Sequence, residues 1–124
     1  MYLLDTDILI WILRENKLII KKVLDLNRKS SLYISVISIA EIYKNIFPSE
    51  LIYTEELLNR HIILDVDRNI AKMAGFYFKE YSKNLKNLSL NDCLIAATAN
   101  LSDLTVVSLN KKHFPFKEIK LLDF

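Results

Sequence analysis

Short apolar runs and longer stretches of helical periodicity alternate along the chain. Tyr2–Leu4 is an apolar triplet of strand length, and Ile8–Leu13 continues from it as a helix. Leu18–Leu26 reads as a second helix with Ile19, Ile20, Val23 and Leu24 apolar, and Leu32–Ile34 as the next strand. From Ile39, apolar residues recur at Ile42, Tyr43, Ile46 and Phe47, the spacing of one helix face, and Pro48 is expected to end that helix. Ser49–Arg60 is predicted helical and Ile62–Val66 extended. Asp67 is placed to cap a helix whose buried stripe is Ile70, Met73, Ala74, Tyr77, Phe78 and Tyr81. Asn91–Leu101 has no polar face and is predicted to be a helix buried all round; Leu104–Leu109 and Ile119–Leu122 close the chain as strands. Strands alternating with helices predict right-handed crossovers and a three-layer α/β/α sandwich about a mostly parallel sheet.

Composition narrows the class. The 124 residues suit one domain, 1–124, with a core large enough to need no staples. A single cysteine, Cys93, excludes an intrachain disulfide and a cysteine-built zinc site. The lone glycine, Gly75, excludes phosphate loops and dinucleotide fingerprints, which need several glycines to bring backbone close to phosphate. His61 and His113 lack metal-ligand spacing and are expected at the surface or an edge, with no role assigned. No basic leader precedes the first apolar run and no run approaches the ~18 residues of a membrane span, so a cytoplasmic protein without a membrane partner is expected. The net charge of +2 permits a nucleic-acid partner without demanding one.

In a parallel sheet, sites form beyond the carboxyl ends of the strands. Four positions fall there. Asp5 ends the first strand; Thr6 or Asp7 can cap the following helix, and capping gives Asp5 no reason to be present. Glu41 lies three residues after Ser38, the spacing of a capping box, on the face opposite the apolar stripe with Lys44 and Asn45. Asp92 repeats that spacing with Ser89, but at the mouth of a helix that is apolar throughout. An unpaired carboxylate there would cost several kcal/mol unless a cation or strong donors met it. Asn110 follows the strand Leu104–Leu109 and reads alone as a turn residue. Each position has an ordinary structural explanation; their coincidence does not. Clustered carboxylates with no soft ligand select Mg²⁺ or Mn²⁺, ions that bind phosphates.

The segments Asp5-Thr-Asp7-Ile-Leu-Ile, Ser35-Val-Ile-Ser-Ile-Ala-Glu41, Asn91-Asp-Cys-Leu-Ile-Ala-Ala-Thr-Ala99 and Val107-Ser-Leu-Asn110-Lys-Lys-His-Phe114 resemble, in order and spacing, the four motifs of the PIN domain, and VapC-type toxins in particular. The resemblance spans essentially the whole chain. It implies a metal-dependent endoribonuclease with Asp5, Glu41 and Asp92 as metal-binding acids. Thr6, Asp7, Ser38, Ser108 and Asn110 would support them, and Lys111 and Lys112 would hold the flanking phosphate of an RNA substrate. Asn110 stands at or near a fourth position that many members fill with Asp, which weakens a second metal site unless Asp7 supplies the charge. The chemistry implied is in-line attack of water on the phosphodiester, leaving a 5′-phosphate and a 3′-hydroxyl. A VapB-like antitoxin and a homodimer are the partners the resemblance implies. A catalytically weakened PIN-fold RNA-binding or scaffolding module is the alternative. A haloacid-dehalogenase-type phosphatase shares the Asp-x-Asp start but lacks its continuation here, where Ile8 and Leu9 stand. A plain α/β interaction domain would treat every acid as a cap.

Overall fold

The computed structural model describes residues 1–124. Its sheet has five parallel strands: β1 (Tyr2–Leu4), β2 (Leu32–Ser35), β3 (Ile62–Leu64), β4 (Thr105–Ser108) and β5 (Lys120–Asp123), in the order β3-β2-β1-β4-β5. Six α-helices connect them: α1 (Thr6–Leu13), α2 (Lys17–Lys29), α3 (Val36–Tyr43), α4 (Leu51–Asn59), α5 (Arg68–Tyr81) and α6 (Leu90–Leu101). Short 3₁₀ turns lie at Pro48–Glu50 and Lys111–His113.

Strand alternation sorts the core into two layers. Leu3, Val106 and the partly buried Tyr33 and Leu121 face α5 and α6. Leu4, Leu32, Ile34 and Val107 face α1, α2 and α4. The result is helix, sheet, helix, with both sheet faces covered, as an all-parallel sheet requires. From β1 the chain builds outward through β2 to β3, then returns across β1 to lay down β4. The switch point therefore lies between β1 and β4, and the carboxyl ends of those two strands flank the crevice where α/β sheets bind ligands. No helix is long and apolar enough to cross a membrane.

Several boundaries differ from the sequence pattern, for local reasons. α1 starts at Thr6 rather than Ile8, because Asp5 itself is the N-cap. α3 starts directly at the end of β2, capped by Ser35, whose Oγ accepts from Ile37 N at 3.0 Å; Ser38 is inside the helix, not at its cap. α3 ends at Tyr43 instead of continuing to Phe47. Pro48 forces the residue before it into an extended conformation, and Phe47, at φ −92° and ψ 147°, is left exposed. β3 stops at Leu64, short of Val66, because its only partner, β2, turns into α3 at Ser35 and offers nothing further to pair with. Asp67 caps α5 as expected, accepting from Ile70 N at 2.8 Å. Ile70, Ala74 and Tyr77 form its buried edge, while Phe78, expected in the stripe, is exposed on the flank. In α6, Cys93 and Ile95–Ala99 are buried, the alanines giving close approach between α5 and the sheet; Leu90 and Leu101 at its ends are exposed.

Candidate metal centre

Asp5 is fixed by the backbone before its side chain acts. Its N–H donates to Val107 O at 2.9 Å, continuing the β1–β4 ladder, and its C=O accepts from Ile8 N at 3.1 Å as α1 begins. The carboxylate, 4% exposed, accepts from Thr6 N at 2.8 Å through Oδ1 and from Ser108 Oγ at 2.9 Å through Oδ2. A residue at the end of the first strand and one at the end of the fourth are thereby joined across the switch point. Ser108 Oγ also lies 3.3 Å from Asp7 Oδ2, and it accepts from Asn110 N at 3.0 Å. Asp7 Oδ2 accepts in addition from Leu109 N at 3.1 Å. The other oxygen, Asp7 Oδ1, is buried and has no hydrogen-bond partner.

Glu41 reaches the same cleft from α3. Thr6 Oγ1 lies 2.6 Å from Glu41 Oε1 and 2.9 Å from Ser38 Oγ. A threonine hydroxyl has one proton, and the short contact to a carboxylate takes it; Ser38 then donates to Thr6. The buried Ser38 and Thr6 thus orient Glu41 in relay. This corrects the capping-box expectation: Ser38 caps nothing, and Glu41 of α3, with Lys44 and Asn45 just beyond that helix, is a wall of the cleft.

Asp92 enters from the first turn of α6, its N–H held by Ser89 Oγ at 3.3 Å. Its side chain is 13% exposed, and His113 Nδ1 lies 3.8 Å from Asp92 Oδ2. His113, given no role from sequence, therefore belongs to the site. The signal was its place in the turn that follows β4; the absence of metal-ligand spacing concealed it, because the partner, Asp92, is remote in sequence. His61 is elsewhere, half-buried, with Nδ1 2.8 Å from Leu57 O. Asn110 lies outside the acidic cleft and contacts His113 Nε2 through Nδ2 at 3.1 Å; Asp7 occupies the position nearest Asp5 instead. Lys112 lines a neighbouring cleft, and Lys111 is exposed in the 3₁₀ turn, away from both.

Burial and mutual repulsion govern the charges. Asp5 is pushed up to about 8, first by loss of water and then by Asp7, against the pull of Ser108 and the Thr6 N–H; Asp92 adds to the rise. Asp92 is pushed up to about 6 by burial, with Glu41 and Asp7 raising it and His113 opposing. Cys93, adjacent to Asp92, is buried and its thiol is raised to about 11, so it offers no thiolate. The cleft thus contains four carboxylates, two of which, Asp5 and Asp92, are pushed up, and a third, Asp7, has an oxygen that nothing satisfies. A hard cation answers both features, and an all-oxygen donor set is the chemistry of Mg²⁺ or Mn²⁺. As placed, no three acid, histidine or cysteine groups converge as a ready coordination set, so binding an ion would draw the side chains inward.

The chain belongs to the PIN domain family, whose family model matches residues 2–120. It is 33% identical to Ribonuclease VapC10 of Mycobacterium tuberculosis over 97% of this chain and 91% of that protein. Among solved structures, the DNA-bound VapBC of Salmonella typhimurium superimposes with a TM-score of 0.83 at 26% identity, covering 98% of this chain and 96% of that one. The VapBC2 complex of Rickettsia felis, bound to a fragment of promoter DNA, superimposes with a TM-score of 0.87 over 99% of this chain and 98% of that one; at 22% identity this likeness speaks for the fold.

Proposed function

We propose that the chain, acting as one PIN unit over residues 1–124, is an endoribonuclease of the VapC toxin type that works with Mg²⁺ or Mn²⁺ held by Asp5, Glu41 and Asp92. The observation that carries this reading is that carboxylates from the β1–α1 junction, from α3 and from the first turn of α6 line one cleft beside the switch point, with Asp7 Oδ1 buried and unpaired. A bound divalent ion supplies Lewis-acid polarisation of the scissile phosphate and a water nucleophile at neutral pH. The protein's own contribution is to hold the ligands. Ser108 and the Thr6 N–H fix Asp5, Ser38 and Thr6 fix Glu41, and Ser89 fixes the start of the helix that carries Asp92. Asp7 supplies the charge that Asn110 does not, and Lys44 on the same wall gives an incoming phosphate one cation among the acids. Asp7 in this place weighs against the weakened-scaffold alternative.

The relative from Mycobacterium tuberculosis carries the name of a ribonuclease, and the superimposed Salmonella structure is of a DNA-bound VapBC. By the same reading, this chain acts on RNA, pairs with a VapB-like antitoxin and forms a homodimer in the cytoplasm. The test is cleavage of a mixed structured-RNA pool in Mg²⁺, Mn²⁺ or EDTA, with wild type beside Asp92→Asn. Metal-dependent cleavage that disappears in a folded Asp92→Asn variant is expected. Cleavage that persists in EDTA or in the variant would overturn the assignment.

A further inference from the structure

A second cleft, of about 350 Å³, opens beside the acidic one and shares a single wall residue with it, His113. Its lining differs sharply: Asn84, Lys86, Asn87 and Leu88 come from the segment between α5 and α6, and Asn110 and Lys112 from the turn after β4. It has two lysines and three asparagine amides and no carboxylate. Of these side chains, Asn110 alone is tied within the chain, to His113 Nε2 at 3.1 Å. The others face solvent. Across His113, the acidic cleft presents Asp5, Asp7, Glu41 and Asp92. A cationic, amide-rich trough thus abuts an anionic one, and one residue separates them.

From this juxtaposition we infer that the second cleft is the subsite for the nucleotide flanking the scissile phosphate of a single-stranded RNA, with Lys86 and Lys112 neutralising its phosphate and the amides of Asn84 and Asn87 reading its base. Resting on the ribonuclease reading, the inference adds where the strand runs and what selects its sequence. The chemistry suits that occupant. Unpaired bases expose edges that an amide meets with one donor and one acceptor, whereas a duplex hides them. The acidic cleft sets one cation, Lys44, against four carboxylates, so most of the affinity for the strand must come from cations outside it. Lys86 and Lys112 stand at its border, whereas Lys111, its neighbour in sequence, does not.

The test uses the full-length chain carrying Asp92→Asn, so that RNA survives, in Mg²⁺. Fluorescence anisotropy follows a labelled eight-nucleotide single-stranded RNA of mixed sequence across a salt series. Adding Lys86→Ala and Lys112→Ala should weaken binding about tenfold. It should also flatten the plot of log affinity against log salt by about 1.4, the release expected for two phosphate contacts on a single strand. An unchanged slope, or no RNA binding by the parent, would overturn the subsite. So would a loss of affinity for polyglutamate with RNA affinity intact, which would give the cleft to an acidic protein segment. Separately, Asn84→Ala with Asn87→Ala in the active enzyme should change the bases preferred next to the cut when cleavage ends are sequenced, and an unchanged preference would refute the base reading. Failure of these tests beside an active, metal-dependent wild type removes the subsite only; absence of cleavage by wild type removes the ribonuclease reading itself.

Discussion

Asp5→Asn should make the metal-free protein more stable while abolishing its metal-dependent function. The carboxyl, ordinarily near 3.8, is held near 8 in the folded chain, chiefly by burial and then by Asp7. A group whose folded pKa lies above its unfolded value binds extra protons when folded, so stability is greatest at low pH and is lost as pH rises through that interval. At pH 7 the gap from 3.8 corresponds to about 4 kcal/mol at 1.36 kcal/mol per pH unit, and relaxation of the site brings the realised cost to about 2–4 kcal/mol. Asparagine removes the charge and keeps the shape. Its oxygen still accepts from Thr6 N, and its NH₂ can donate to Ser108 Oγ, which frees that hydroxyl for Asp7. For a chain of this length about 2–4 kcal/mol corresponds to roughly 8–15 °C in Tm. Thermal unfolding in EDTA at pH 7 should therefore show the variant melting higher than wild type, with the difference shrinking by more than half at pH 5. Mn²⁺ should raise the Tm of wild type and leave the variant unmoved. A variant that melts lower than wild type in EDTA at pH 7, or a difference indifferent to pH, would refute the reasoning that the acids are stored at a cost to the fold.

The remaining predictions are of different kinds. Thr6→Val removes the hydroxyl that orients Glu41 and should reduce RNA cleavage about 10–100-fold, with Thr6→Ser restoring most of it; equal rates in all three would deny the relay. His61 is held below its ordinary 6.5, mainly by burial and partly by Arg60, against the hydrogen bond to Leu57 O. A depressed pKa gives stability that is present above 6.5 and lost as pH falls, so His61→Gln should flatten the acid limb of a Tm-versus-pH curve, and an unaltered limb would count against it. Ala97→Leu, at a fully buried position of α6, should cost at least about 2 kcal/mol by overpacking, measured by urea unfolding.

How much the sequence disclosed depended on the distance over which each signal acts. The strands were legible because their alternation is local, and Asp67 was legible as a cap because its partner is three residues on. Asp5 was legible from the rule that sites form beyond strand carboxyl ends; Glu41, inside α3, and Asp92, whose helix follows α5 rather than the expected strand, were tied to it by the motif resemblance. The support for each acid was not legible. Local spacing made Ser38 the cap of α3, whereas Ser35 holds that place and Ser38 meets the hydroxyl of Thr6, across the fold. His113 carried no spacing signal because its partner is remote in the chain, on α6. The end of α3 was misplaced because Ile46 and Phe47 keep the period of a helix that Pro48 prevents from forming, and hydrophobic periodicity does not register the backbone of the residue before a proline.

The hydroxyl of Ser108 also has a consequence for synthesis. It joins Asp5 to a strand made 103 residues later, and β1 lies in the middle of the sheet awaiting that neighbour. A nascent chain that ends before Thr105 already contains Asp5, Glu41 and Asp92, but it lacks β4, Ser108 and His113, and has no switch point to gather the acids around. Such a fragment, whether stalled or truncated, is expected to be harmless to the RNA being translated beside it. The order of strands delays the weapon until β4 has been made.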